Sequence, residues 1–251
     1  MCIIVIKKEG KLPSKKILET CFENNPDGAG FMYVRNKKII IKKGFMNFET
    51  LDKALSAENF TKKDTIVYHF RIATSGDTTE KQCHPFPVSS KVADIEAGNI
   101  ACDIGFAHNG ILQHKPEGTL SDSMTFVRDI LSNKDIMPHL FSDNVIFKLI
   151  EQASIGSKLA FLSPYKIRYT GTWIAKDNLL FSNNGYEKDL FPFGFGSKFS
   201  LKHYSKKSYF YEQEICKQKD ILLCEDCERL DCERLDCDGY GYGSCPKENA
   251  E

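Results

Sequence analysis

The sequence begins with an uninterrupted apolar run, Ile3-Ile4-Val5-Ile6, placed directly after Met1-Cys2. A short continuous run of this kind, rich in β-branched side chains, is typical of a strand that is buried on both faces. We therefore predict a buried strand over residues 2–7. The chain has 251 residues, of which 41% are hydrophobic. This is enough for one large domain, with or without a small appendage.

Later elements come in blocks rather than in strict alternation of strand and helix. Ser14, Asn47 and Ser121 each precede a helical pattern and are suitable N-caps. Further predicted elements are a hairpin of Phe31–Arg35 with Lys38–Lys43, strands at Thr65–Phe70 and Asp103–Ala107, a helix at about 139–152, and strand-like runs at Lys158–Ser163, Lys166–Lys176 and Leu179–Ser182. This order favours an α+β domain with mainly antiparallel sheets.

Charge and hydropathy exclude several classes of protein. The formal net charge is +0, which argues against a general attraction to nucleic acid or to an anionic membrane. We find no signal-peptide pattern at the start and no apolar run long enough to span a membrane. We therefore expect a cytoplasmic protein with no membrane partner, whose ten cysteines are reduced.

Cys2 is the first candidate for chemistry. Removal of Met1, which is usual before a small residue, leaves the thiol and a free α-amine on the same residue. An α-amine with a pKa near ~8 can accept the thiol proton directly or through one water, and so make the thiol a strong nucleophile. The alternative is that Cys2 is a small core residue of the first strand.

A second candidate is Arg71, in the stretch His69-Phe70-Arg71-Ile72-Ala73-Thr74-Ser75-Gly76. An Arg at the end of an apolar strand can bind a substrate carboxylate with two parallel hydrogen bonds. The alternative is a structural ion pair.

Two further stretches have both a functional and a structural interpretation. Asn109-Gly110 follows a predicted strand and could supply an oxyanion hole from a side-chain amide and a backbone N–H. The same dipeptide is also a common hairpin turn. Asp122 lies at a predicted helix start, where it could bind a substrate ammonium or simply complement the helix dipole.

In combination, these stretches resemble the class II glutamine amidotransferase domain, a branch of the N-terminal-nucleophile hydrolases. The resemblance covers about residues 2–185 and is greatest to stand-alone members from bacteria and phages. The residues that carry it are Met1-Cys2, Asn25-Pro26-Asp27-Gly28-Ala29-Gly30, His69-Phe70-Arg71-Ile72-Ala73-Thr74, His84-Pro85-Phe86-Pro87, Ala107-His108-Asn109-Gly110, Ser121-Asp122 and Lys158-Leu159-Ala160-Phe161-Leu162.

The resemblance implies a four-layer αββα sandwich and a role for each candidate. Cys2 would be nucleophile and general base, and Asn109 with Gly110 would form the oxyanion hole. Arg71 would bind the α-carboxylate of glutamine and Asp122 its α-ammonium, with Thr74 also among the substrate-binding residues. No cofactor is required for this amide hydrolysis, which passes through a thioester and releases ammonia.

Two features separate this chain from the usual pattern. Ile72 stands where the family commonly has Trp, and Ser75 where it has His. No ammonia-accepting domain follows, so we expect either a separate acceptor enzyme or simple release of ammonia. Two alternatives remain open, namely hydrolysis of γ-glutamyl peptides and a non-catalytic binding or inhibitory module on the same fold.

The end of the chain has a different composition. We predict a domain over residues 1–190, a linker over 191–223 and a Cys-rich acidic tail over 224–251. The linker contains a basic and aromatic run, which we interpret as packing rather than nucleic-acid binding. Four tail cysteines could hold a structural zinc: Cys224, Cys227, Cys232 and Cys237. The alternative is a disordered tail whose cysteines have no common role.

Overall fold

The computed structural model describes residues 1–73 and 78–187. In this part of the chain the helices are α1 (Lys15–Asn24), α2 (Phe48–Ala57), α3 (Val92–Glu96), α4 (Asp122–Phe126) and α5 (Asn144–Ala153). The strands are β1 (Ile3–Lys7), β2 (Ala29–Arg35), β3 (Lys38–Phe45), β4 (Ile66–Phe70), β5 (Phe86–Pro87), β6 (Asn99–Cys102), β7 (Gly105–Asn109), β8 (Lys158–Leu162), β9 (Ile167–Tyr169), β10 (Ile174–Lys176) and β11 (Leu179–Phe181). Short 3₁₀ turns cover Glu80–Gln82 and Met137–His139, and a π-helical turn, Val127–Leu131, continues α4.

These strands form two antiparallel sheets. The larger sheet has the order β10-β11-β1-β4-β2-β3-β6, and the smaller has the order β5-β7-β8-β9. β1 lies between β11 and β4, which explains why its four apolar residues are all fully buried. The predicted α+β class with antiparallel sheets is confirmed.

Side chains of alternate strand positions enter different apolar clusters, as the two-residue repeat of a strand requires. Ile3 and Val5 pack with residues of α1 and α2, whereas Ile4 and Ile6 pack in a cluster that also contains Ala107 and Ala160 of the smaller sheet. A third cluster joins Phe106 and Phe161 of the smaller sheet to residues of α4, the π-helical turn and α5. A β-carbon at Gly105 would overlap the sulfur of Met32, so a larger residue there would displace the Met32 side chain between the two sheets.

Most local predictions are confirmed. The side chains of Ser14, Asn47 and Ser121 accept hydrogen bonds from backbone N–H groups of the first turns of α1, α2 and α4. The predicted helix at 139–152 begins later, because Asp143 is its N-cap and the Met137–His139 segment is a separate 3₁₀ turn.

One predicted strand is wrong. The run Lys166–Lys176 is two strands, β9 in the smaller sheet and β10 in the larger one. The chain turns between them at Gly171, whose φ of 77° favours glycine. Hydrophobic content alone does not reveal such a turn between sheets.

Some predictions fall on residues that the structure does not describe. Thr74 lies outside the described ranges, as do the four tail cysteines and the predicted boundaries after residues 190 and 223. Among the described helices, none has the length and apolar character needed to cross a membrane.

Candidate active site

Cys2 lies at the start of β1, next to the residues that follow β4. The antiparallel register pairs Ile3 with Phe70, so the chain beyond β4 passes beside Cys2. The backbone N–H of Ile72 donates a hydrogen bond to Cys2 Sγ at 3.4 Å. Asn183 Nδ2 donates to the carbonyl oxygen of Cys2 at 2.7 Å, while Met1 is 75% exposed. The thiol is therefore fixed, and the residue before it is accessible.

The protonation state of the Cys2 thiol depends on opposing effects. Burial raises its pKa above the ordinary value, while the Ile72 N–H, the N-terminal charge and Arg71 act in the opposite direction. Since burial is the largest effect, the thiol needs a base to become a thiolate. Burial also raises the pKa of Cys21, in α1, and of Cys102, in β6, to about 12.

Asn109 ends β7 and connects the smaller sheet to β1. Its Nδ2 donates to Ser182 Oγ at 2.9 Å, and the same hydroxyl oxygen accepts a hydrogen bond from the Ile4 N–H at 2.8 Å. Only one hydroxyl thus separates the Asn109 amide from β1, two residues beyond Cys2. Asn109 is 5% exposed, and within the described residues its Oδ1 has no hydrogen-bond partner. Sequence reasoning missed Ser182, which was only the last residue of a predicted strand.

Gly110 has a backbone conformation that requires glycine. Its φ is 144°, and a β-carbon would overlap the hydroxyl of Ser157. The hairpin interpretation of Asn109-Gly110 is wrong, because β7 pairs with β5 and with β8, and β8 begins only at Lys158. The chain instead leaves the smaller sheet at this dipeptide, next to β1, which begins directly after Cys2.

Arg71 is 7% exposed and held through its backbone and its side chain. Its N–H donates to Gly28 O at 2.7 Å, and its carbonyl oxygen accepts from the Asp27 N–H at 3.0 Å. Its guanidinium Nη2 donates to Gln82 Oε1 at 2.9 Å. Asp27 Oδ2 also accepts from the Ala73 N–H at 2.7 Å. The Asp27-Gly28 turn therefore fixes the segment on both sides of Ile72, and Gln82 is a contact that the sequence did not indicate.

Asp122 is the first residue of α4, after the N-cap Ser121. Its Oδ1 accepts from the Ser123 N–H at 2.7 Å, and its Oδ2 accepts from the Leu112 N–H at 3.0 Å. The second contact ties the carboxylate to the segment that follows Gly110. A helix-dipole role alone does not require that contact.

Histidines that had no assigned role connect these pieces. His69 Nε2 donates to the carbonyl oxygen of His108 at 2.9 Å, across the two sheets. His108 Nδ1 contacts Ser123 Oγ at 2.8 Å, and its Nε2 contacts Ser157 Oγ at 3.1 Å. Burial lowers the pKa of His69 to about 3 and that of His108 to about 4, so both rings are neutral near pH 7.

The ring of His84 stacks on His69, with 4.3 Å between centroids. His84 and His108 could have been identified from the sequence, because they lie in two of the stretches that carry the resemblance, His84-Pro85-Phe86-Pro87 and Ala107-His108-Asn109-Gly110. Neither histidine forms a metal site here, since within residues 1–73 and 78–187 no group of three or more His, Cys, Asp or Glu side chains could hold a metal ion.

Comparisons with known proteins add little to this geometry. No model of a protein family matches the chain, and no curated protein sequence matches it. Among solved structures, the chain is similar to the glutamine phosphoribosylpyrophosphate amidotransferase from B. subtilis complexed with ADP and GMP. The identity is 15% and the TM-score 0.46, and the match covers 72% of this chain but 41% of the amidotransferase chain. A likeness this distant does not assign a family.

Proposed function

We propose that this chain is a cysteine-nucleophile amidohydrolase of the glutamine amidotransferase type. The observation that carries the proposal is that Asn109 is held, through the Ser182 hydroxyl, against Ile4 of β1, two residues beyond Cys2. The Cys2 thiol accepts from Ile72 N–H, and β1 shares the Ser182 hydroxyl with the Asn109 amide. A nucleophile, a buried amide and a glycine with a special backbone conformation are then close to one strand end, as acyl transfer requires.

The proposed substrate is glutamine or a γ-glutamyl compound. Arg71 would bind the α-carboxylate and Asp122 the α-ammonium, which leaves the side-chain amide for Cys2. Both charged groups are supported by hydrogen bonds, Arg71 by Gln82 and Asp122 by the N–H groups of Leu112 and Ser123. Fixed charges of opposite sign suit an amino acid head group, since each pairs with one substrate charge.

In the proposed reaction, the α-amine of Cys2, free after removal of Met1, takes the proton from the thiol. The thiolate attacks the amide carbonyl, and the negative charge that develops on oxygen is met by Asn109 Nδ2 and the Gly110 N–H. The α-ammonium returns the proton to the leaving nitrogen, and ammonia departs as a thioester forms. Water then attacks the thioester and releases glutamate and the Cys2 thiol.

The same proposal includes a four-layer αββα arrangement for residues 1–190. The apolar clusters support it, since one joins the larger sheet to α1 and α2, one contains residues of both sheets, and one joins the smaller sheet to α4 and α5. Ammonia would pass to a separate acceptor enzyme or be released.

The first experiment is an intact-mass measurement followed by labelling. We expect the purified chain to lack Met1, and a γ-diazoketone analogue of glutamine to add once, at Cys2. The Cys2→Ser variant is the control and should remain unlabelled, although it retains Cys21, Cys83 and Cys102. Retention of Met1, or labelling of another cysteine, would contradict the mechanism.

Ammonia release then separates the alternatives. The proposal expects release from free glutamine, whereas a γ-glutamyl peptide hydrolase would cleave γ-glutamyl peptides in preference. A chain that lacks Met1, binds glutamine and releases no ammonia from either substrate would be a non-catalytic binding module.

A further inference from the structure

The side chain of Gln82 connects the two elements that would bind the charged end of the substrate. Its Oε1 accepts a hydrogen bond from Arg71 Nη2 at 2.9 Å. Its Nε2 donates to the carbonyl oxygen of Thr119 at 3.1 Å, three residues before Asp122. One planar amide therefore spans the gap between the end of β4 and the start of α4.

The position of Gln82 is fixed from the buried side. It ends the 3₁₀ turn Glu80–Gln82, and the buried Lys43 ammonium donates to Lys81 O at 2.8 Å and to Ile95 O at 2.6 Å. The next residue, Cys83, is fully buried and lies so close to Gly28 that a β-carbon there would overlap its sulfur. The backbone on both sides of Gln82 is thus anchored by contacts that do not involve Arg71.

The chemistry of the amide matters as much as its position. A neutral acceptor orients the guanidinium through a hydrogen bond and adds no negative charge beside it. A carboxylate at the same place would form an ion pair with Arg71 and compete with the substrate. The hydrogen bond to Thr119 O also requires a donor, which the amide has in its NH2 group and a carboxylate lacks.

We propose that Gln82 is a positioning residue that determines specificity for the α-amino acid end of the substrate. By tying Arg71 to the segment that leads into Asp122, it sets the separation between the carboxylate-binding and ammonium-binding groups. A ligand that carries both charges on one carbon would contact both groups at once, and a ligand that lacks either charge would contact only one of them. This inference rests on the proposed function, because it assumes that Arg71 and Asp122 bind these two charges.

The test compares Gln82→Glu and Gln82→Ala with the wild-type full-length chain. Gln152→Glu is the matched control, because Gln152 is an exposed residue of α5 and is not among the residues proposed for the site. For the Gln82 variants we expect KM for glutamine to rise about tenfold or more, with kcat changed less than about threefold, since a contact common to ground and transition states is lost. The Gln152→Glu variant should retain both values.

Specificity gives a sharper readout. We expect the ratio of kcat/KM for glutamine to that for glutaramic acid, which lacks the α-amine, to fall in both Gln82 variants. A similar fall is expected against 4-aminobutanamide, which lacks the carboxylate. A merely structural role would lower activity towards all three compounds alike and leave both ratios unchanged, and that result would overturn the inference.

Calorimetric binding of glutamate separates this inference from the proposed function. We expect the wild type to bind glutamate and the Gln82→Glu variant to bind it about tenfold or more weakly, even at zero turnover. Absence of ammonia release by the wild type would contradict the proposed catalysis alone. Equal glutamate affinity of wild type and Gln82→Glu, or no glutamate binding by the wild type, would overturn the role of Gln82.

Discussion

At the scale of single residues, the candidate oxyanion hole depends on a hydroxyl as much as on Asn109. Ser182 is fully buried, and its Oγ accepts hydrogen bonds from Ile4 N–H and from Asn109 Nδ2. One amide hydrogen of Asn109 is therefore occupied, and the proposed mechanism uses the other. Which way this amide faces follows from the hydrogen bond to Ser182, so the hydroxyl orients the group that would stabilise the oxyanion.

We predict that Ser182→Ala lowers kcat by about tenfold or more with little change in KM, because the amide loses its orientation. Asn109→Ala removes the donor itself and should lower kcat by ~10²-fold or more. Steady-state kinetics on glutamine would measure both. Ser182→Ala should also reduce the free energy of unfolding by about 1–3 kcal/mol, since it leaves the buried Ile4 N–H without a partner.

The control for Ser182 is Ser154→Ala. Ser154 is also a buried serine, but its hydroxyl donates to Ile150 O within α5. This variant should lose stability and keep kcat. If Ser154→Ala and Ser182→Ala lower kcat equally, the effect is one of general stability and Ser182 has no orienting role.

At the scale of elements, β4 and β7 are linked by neutral histidines. His69 of β4 donates to the carbonyl oxygen of His108 in β7, and His108 contacts Ser123 of α4 and Ser157 before β8. These contacts join both sheets and α4 around the candidate site. Protonation of either buried ring would place an unpaired charge between packed elements.

We therefore predict that stability falls on acidification from about pH 6.5 to about pH 4. The pKa of His69 is lowered to about 3 and that of His108 to about 4, from an ordinary value of 6.5. In this range the unfolded chain binds protons that the folded chain does not, so the free energy of unfolding decreases by up to about 1.4 kcal/mol per pH unit for each histidine. Urea unfolding at several pH values measures the slope.

His108→Gln tests which histidine is responsible. This variant should show a shallower slope over the same range, since one titrating group is gone. His139→Gln, in which an exposed histidine is replaced, should retain the wild-type slope. An unchanged slope in His108→Gln would contradict the prediction.

At the scale of the whole molecule, the candidate site belongs to neither sheet alone. Cys2 precedes β1 and Arg71 follows β4 of the larger sheet, Asn109 ends β7 of the smaller one, and Ser182 joins β1 to Asn109. Asp122 is added by a helix that packs on the smaller sheet. Assembly of the site thus requires that both sheets are formed and face each other. The Cys-rich tail contributes none of the residues proposed for the site.

We predict that the tail binds about one zinc per chain through Cys224, Cys227, Cys232 and Cys237. A segment this short cannot bury enough apolar surface to fold alone, so metal would have to supply the stabilisation. Elemental analysis of protein purified without a metal-binding tag checks the stoichiometry. Double replacement of Cys224 and Cys227 by Ser should remove the zinc and leave labelling of Cys2 intact. Substoichiometric zinc that is unchanged by this replacement would rule out the site.

Local physics allowed much of the fold to be predicted from the sequence. The caps Ser14, Asn47 and Ser121 act within one helical turn, so their neighbours along the chain are sufficient to identify them. The burial of β1 follows from its unbroken apolar run, because no face of it can remain in water. The candidate site residues could be recognised because the short stretches that contain them occur in the order typical of the domain that the sequence resembles. These residues are Cys2, Arg71, Asn109, Gly110 and Asp122.

Only the tertiary structure decided which of these groups meet. The two-residue repeat of a strand predicts which face of the sheet a side chain lies on, but not which residue of the other sheet it contacts. The contact between Asn109 and Ser182, which are 73 residues apart in sequence, could therefore not be predicted. The same holds for Gln82, whose amide contacts Arg71 and Thr119 and whose turn is bound by the buried Lys43. Lys166–Lys176 divides between two sheets, since β9 pairs with the preceding β8 in the smaller sheet and β10 pairs with the following β11 in the larger one. Local pattern determined the elements, and packing between elements determined the site.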